Sequence, residues 1–140
     1  LRLNPSSLGA IYALLTTLFA SGAVWLVADA LKDRDGGEAW QAVAANLLMV
    51  HGGASMATLV ILGALYPLHM RLGWRANRNR VSGGLMVTIN GLLILTAFGL
   101  YYSGSDVVRA WTGYVHIAVG LALPILVGIH VLLGRRSRPT

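Results

Sequence analysis

The chain contains no cysteine among its 140 residues, which excludes disulfides, thiolate-held iron–sulfur clusters and a Cys-linked c-type haem. Charge is scarce as well: 11% of residues are charged, against roughly 25% in soluble domains. Acidic residues number five, and none occurs between Glu38 and Asp106 or after Asp106. Paired carboxylates, a nucleophile triad and a phosphate-cradling loop are all missing, so chemistry on a bound substrate belongs to a partner. A basic soluble face interleaved with stacking aromatics is missing too, and with it the basis for nucleic-acid binding.

What the chain has is hydrophobic length. Its composition is 56% hydrophobic. A bilayer span needs about 20 mostly apolar residues at about 1.5 Å rise each. Four runs meet this, at about 8–30, 43–68, 83–103 and 111–133. They predict a single membrane domain over 1–140, an all-α four-helix transmembrane bundle. The first run follows the helix-start cluster Asn4-Pro5-Ser6-Ser7 and exceeds the 7–15 apolar residues, about, of a signal-peptide core, so it reads as a retained span.

The charges sort by side. If four spans alternate, Arg2, Arg71, Arg75, Arg78, Arg80, Arg135, Arg136 and Arg138 share one side with no acid, while Lys32, Arg34 and Arg109 face Asp29, Asp33, Asp35, Glu38 and Asp106 on the other. Because Lys and Arg are retained on the cytoplasmic side, both termini are predicted cytoplasmic, in a bacterial inner membrane. Trp40, Trp74, Trp111, Tyr101, Tyr102 and Tyr114 fall near span ends, as an interfacial aromatic belt does. The polar stretch from Asp29 to Gln41 holds a Gly36-Gly37 turn and predicts an external loop. Seventeen glycines favour close helix packing, and Gly113 and Gly120 flank His116 on its own face.

Four histidines lie in or at the edge of the second and fourth spans: His51, His69, His116 and His130. Ionisable groups in a membrane are costly and mark function by default. His51 and His69 are eighteen residues apart and His116 and His130 fourteen, so on ideal helices each pair lies on one stripe. Spans two and four run the same way, placing His51 with His116 in the outer half and His69 with His130 in the cytoplasmic half. Each pair supplies two axial imidazoles, predicting two b-type haems about 20–25 Å apart along the membrane normal, with all four histidines as iron ligands. Eighteen and fourteen residues differ by about 6 Å of rise, to be absorbed by tilt, by a kink at Pro67 or by distortion at Gly52-Gly53. Arg71, Arg75 and Arg135 inside and Arg109 outside are candidate partners for haem propionates. Asn46 and Asn90 are expected to bond across helices, and Thr16, Thr17 and Ser21 back to their own helix.

On Val115-His116, the fourteen-residue step to His130 and the following Leu132-Leu133-Gly134-Arg135-Arg136, the chain resembles small bacterial di-haem cytochrome b membrane subunits. The broad likeness is to the cytochrome b (gamma) subunit of respiratory formate dehydrogenase and related four-helix cytochromes. It covers His51 to Arg136. Members of that kind take one ligand from the first span, which here has no histidine, so His69 stands in its place. The resemblance implies transmembrane electron transfer between a quinone pool and a periplasmic redox protein or dehydrogenase subunit. Two readings from other classes remain beside it: a membrane anchor or assembly subunit with one haem or none, and a transition-metal permease using imidazoles as transit ligands.

Overall fold

The computed structural model describes residues 5–34, 36–77 and 79–136, without the side chain of Leu68. Asn4, Arg2, Asp35, Arg78 and Arg138 lie outside the described residues. The fold is all-α: α1 (Pro5–Leu31), α2 (Gly37–Leu65), a π-helical turn (Tyr66–Met70), α3 (Arg71–Arg75), α4 (Arg80–Tyr102) and α5 (Asp106–Arg136). The four long helices are each long and apolar enough to cross a membrane, and the protein is a multi-pass membrane protein. Two compact units divide the chain, Leu1–Pro67 and Leu68–Thr140.

The first unit is a hairpin of α1 against α2. Pro5 opens α1, where its missing N–H costs no hydrogen bond. The turn after Leu31 closes with Gly36 at φ +80°, a left-handed conformation that glycine adopts without strain. A Cβ on Gly37 would collide with the Lys32 carbonyl, so the Gly36-Gly37 pair is required twice over. Lys32 and Asp29 form an ion pair at 2.7 Å beside this turn. The external loop expected up to Gln41 is therefore shorter, and Trp40 already lies in the first turn of α2.

The second unit packs α4 against α5, joined through Ser103–Ser105. Arg109 extends its guanidinium to the Ser103 carbonyl at 2.9 Å, where α4 ends and its dipole is negative. At the other end, Asn77 and Asn79 take positive φ values of 54° and 50°, which asparagine tolerates better than most residues. Arg80 donates to the Trp74 carbonyl at 2.8 and 3.0 Å and sits 5.2 Å above the Trp74 ring, closing α3.

Side-chain size sorts these helices inside out. Among the described residues, those that are buried are Ser21 and Ala28 on α1, Ala44 and Ala54 on α2, and Thr96 on α4, all of them small. Large apolar side chains point outward, Val60 at 74% exposure, Leu95 at 69% and Val81 at 89%. Lipid is as apolar as leucine, so membrane helices gain by bringing backbones together over small residues. Gly99 shows the limit: a Cβ there would lie 2.9 Å from Thr112 Cγ2.

The second span departs from its expected course. The hydrophobic run predicts a span over about 43–68 that Pro67 can kink, whereas α2 ends at Leu65 and the chain makes a π-helical turn over Tyr66–Met70. Pro67 has no N–H to offer the Gly63 carbonyl, which instead accepts from the Tyr66 N–H. A π turn changes the helical phase, so the same-stripe count from His51 to His69 on an ideal helix does not hold across it.

Candidate functional site

Each histidine sits where its helix meets a neighbour or turns, and three share one construction. On α2, His51 lies seven residues from both Ala44 and Thr58, within the stripe of small residues that faces α1. Half-buried there, its Nδ1 lies 3.0 Å from the Leu18 carbonyl and 3.0 Å from Ser21 Oγ. The Ser21 hydroxyl itself donates to the Thr17 carbonyl at 2.6 Å. Gly22 makes room for the ring, since a Cβ there would approach His51 Cε1 to 3.3 Å.

In the second unit, His116 Nδ1 lies 2.8 Å from Thr96 Oγ1. Thr96 is buried and bonds back to the Leu92 and Leu93 carbonyls at 2.8 and 3.1 Å. Further along the same hairpin, His130 Nδ1 lies 3.2 Å from Ser82 Oγ, and Ser82 donates to the Asn79 carbonyl at 3.3 Å. Ser82 and Thr96 are fourteen residues apart on α4, as His116 and His130 are on α5. An antiparallel pair in constant register requires this equality, and the two rungs stand about 21 Å apart along the hairpin.

His69 belongs to the π turn and is exposed. Its ring centroid lies 6.2 Å from that of His130, with the planes at 78°. The structure thus brings together the two histidines expected in the cytoplasmic half. His51 belongs to the first unit and His116 to the second. Among the described residues, no three His, Asp or Glu side chains converge as a metal cage would require.

The expected accessory residues divide. Arg71, Arg75 and Arg135 are exposed, Arg71 and Arg75 on α3 and Arg135 in the last turn of α5. Arg109 spends one donor on the end of α4. Asn90 does not reach across helices: its Nδ2 donates to the Met86 carbonyl of its own helix at 2.8 Å, because an amide four residues on can satisfy itself locally at no cost in packing. Asn46 is exposed on α2. Thr17 bonds back to Ala13 as expected, and Ser21 does likewise but also holds His51. Ser82, Thr96 and the Leu18 carbonyl escaped sequence reasoning, although the fourteen-residue step from Ser82 to Thr96, mirroring that from His116 to His130, was a usable signal.

Comparison of the chain with protein-family models, with curated proteins and with solved structures finds no match.

Proposed function

We propose that this chain is a transmembrane electron-transfer subunit that carries b-type haem between its helices, two per chain, linking a quinone pool to a periplasmic redox protein or dehydrogenase subunit. The observation that supports it most is the His69–His130 pair. Two imidazoles that shared one metal, each bonded to it at about 2 Å, would have ring centroids roughly 6 Å apart. The observed 6.2 Å fits that spacing. If His69 and His130 held a b-type haem, that group would supply one-electron transfer.

The chain's own part in this is binding, orientation and the exclusion of water. His69 and His130 supply imidazoles from the π turn and from α5. His51 and His116 are the remaining candidate ligands, each held from a neighbouring helix at Nδ1. Arg71, Arg75, Arg109 and Arg135 are candidate partners for propionates, with exposed guanidiniums suited to bidentate carboxylate pairing. The excess of arginine on 71–80 and at the end of α5 supports a reading in which both termini face the cytoplasm of a bacterial inner membrane.

The test is the reduced-minus-oxidised visible spectrum of the purified protein with a haem count. Low-spin b-type bands and two haems per chain are expected, and their absence overturns the reading. One observation favours a second reading, a membrane anchor with structural histidines: His51 and His116 each tie two helices of a hairpin through Nδ1. A chain purified with one haem or none and full helical content is the result that reading requires. Reporters fused at the C-terminus and between Arg75 and Arg80 are expected to report cytoplasm, and one between Asp33 and Glu38 the outside.

A further inference from the structure

Hydroxyl groups opposite the histidines, rather than the histidines alone, decide which ring nitrogen is offered to a metal. Neutral imidazole carries one proton, and whichever nitrogen does not hold it presents a lone pair. A carbonyl oxygen can only accept, so the 3.0 Å contact from His51 Nδ1 to the Leu18 carbonyl requires the proton on Nδ1. At His116 the back-bond of Thr96 favours the same tautomer. Its single hydroxyl proton is drawn to the Leu92 carbonyl at 2.8 Å, leaving Oγ1 to accept from Nδ1–H, also at 2.8 Å. Ser82 repeats the pattern at His130, donating to the Asn79 carbonyl while its oxygen lies 3.2 Å from Nδ1. The arrangement recurs three times in two hairpins, with the hydroxyl always on the partner helix and always back-bonded within it.

We propose that Ser21 with the Leu18 carbonyl, Thr96 and Ser82 are positioning residues that hold His51, His116 and His130 in the Nδ1–H tautomer, so that each turns the lone pair of Nε2 toward a metal. The proposal rests on the haem reading for the identity of that metal, but not for the tautomer. Free histidine in water holds its neutral-ring proton mainly on Nε2, so the Nδ1–H form is a state the protein imposes. A ligating histidine whose other N–H donates to an acceptor is also more basic and more fixed in orientation. Loss of that donation weakens electron release to the metal and raises the reduction potential.

The positions differ in a way that makes the proposal testable. At His51 a main-chain acceptor stands beside the hydroxyl, whereas at His116 the group 2.8 Å from Nδ1 is the Thr96 hydroxyl. The experiment is 15N NMR of histidine-labelled full-length protein prepared without haem in detergent micelles, where protonated and lone-pair ring nitrogens resonate far apart. The parent is expected to show His51, His116 and His130 as Nδ1–H. Thr96→Val, which preserves shape and removes the acceptor, is expected to move His116 to the Nε2–H form. Thr96→Ser is expected to restore Nδ1–H, and Ser21→Ala to leave His51 unchanged because Leu18 still accepts. A parent His116 protonated on Nε2, or a Thr96→Val protein whose His116 stays Nδ1–H, overturns the proposal. In the haem-loaded protein, Thr96→Val is expected to raise the potential of one haem and Thr96→Ser to return it, while an unchanged potential removes the positioning role. If the parent takes up no haem, the electron-transfer reading fails and the tautomer result still decides the proposal.

Discussion

The hairpins α1–α2 and α4–α5 bury the same kind of residue along their seams, yet one seam holds a single histidine rung and the other holds two. In the first, the rung at Ser21–His51 lies among alanines, and the main chain of Leu18 shares the hydrogen bond. In the second, the rungs at Thr96–His116 and Ser82–His130 depend on side-chain hydroxyls, fourteen residues apart on both helices. Two rungs that share one register constrain a hairpin at both ends. A single rung with a backbone acceptor tolerates more variation in its side chains. The first hairpin is therefore the more forgiving of the two, and the second carries more of the proposed cofactor chemistry.

The largest expected effect tests that division. His130→Ala and His69→Ala are each expected to abolish the same haem, with the double variant losing no more, as read by haem content and the reduced spectrum. Because a ligand that binds only the folded state stabilises it, both variants are expected to melt lower than the parent. If His69→Ala keeps both haems with unchanged spectrum and potentials, His69 is an interfacial residue and the comparison loses its most loaded site.

His116→Ala is expected to remove one haem while leaving much of the one that depends on His130, since the rungs stand about 21 Å apart along the hairpin. Two haems with unchanged spectra in this variant would break the assignment of the Thr96 rung.

Packing offers a smaller and purely structural comparison. Gly99→Ala drives a methyl to 2.9 Å from Thr112 Cγ2, and Thr112 is held in place by its 2.6 Å hydrogen bond to the Val108 carbonyl. A loss of roughly 1–3 kcal/mol is expected from overpacking. Gly22→Ala meets the His51 ring at 3.3 Å, a milder contact, and Gly91→Ala meets nothing within 4 Å. Denaturant titration in micelles is expected to rank them Gly99, Gly22, Gly91 in order of decreasing loss, and a reversed order of the first two would make the first hairpin the tighter one.

The smallest effect is expected at Lys32, whose pKa is raised chiefly by its hydrogen bond to Asp29 and next by that carboxylate's charge. A raised folded-state pKa contributes stability below the ordinary lysine value and loses it as pH rises through the folded one. An exposed pair contributes little, so Lys32→Ala is expected to leave the melting temperature unchanged at neutral pH. A clear drop would give the first hairpin's turn a weight this comparison denies it.

Much of the fold was legible in advance because span length and the Gly36-Gly37 turn are local properties of the chain. The span limits differ mainly in that the helices begin several residues earlier, as in α2 at Gly37, since a helix does not end where hydrophobicity does. The candidate ligands were legible too, because histidine in an apolar run is conspicuous. Their hydroxyl partners were not, because serine and threonine in a membrane helix ordinarily satisfy themselves on the carbonyl one turn back. Asn90 does that, whereas Thr96 does that and also meets a histidine.

The sequence by itself determined a cysteine-free, acid-poor chain with four long apolar helices and four histidines within two of its apolar stretches, because composition and hydrophobic length depend only on which residues follow one another. Tertiary structure alone decided that Thr96 faces His116 and Ser82 faces His130, and that the chain leaves the α-helix at Tyr66. Contacts between helices depend on the register set by a turn and by the closest approach that small residues permit. The π turn follows from how Pro67's missing donor is accommodated, and helical periodicity does not record that choice.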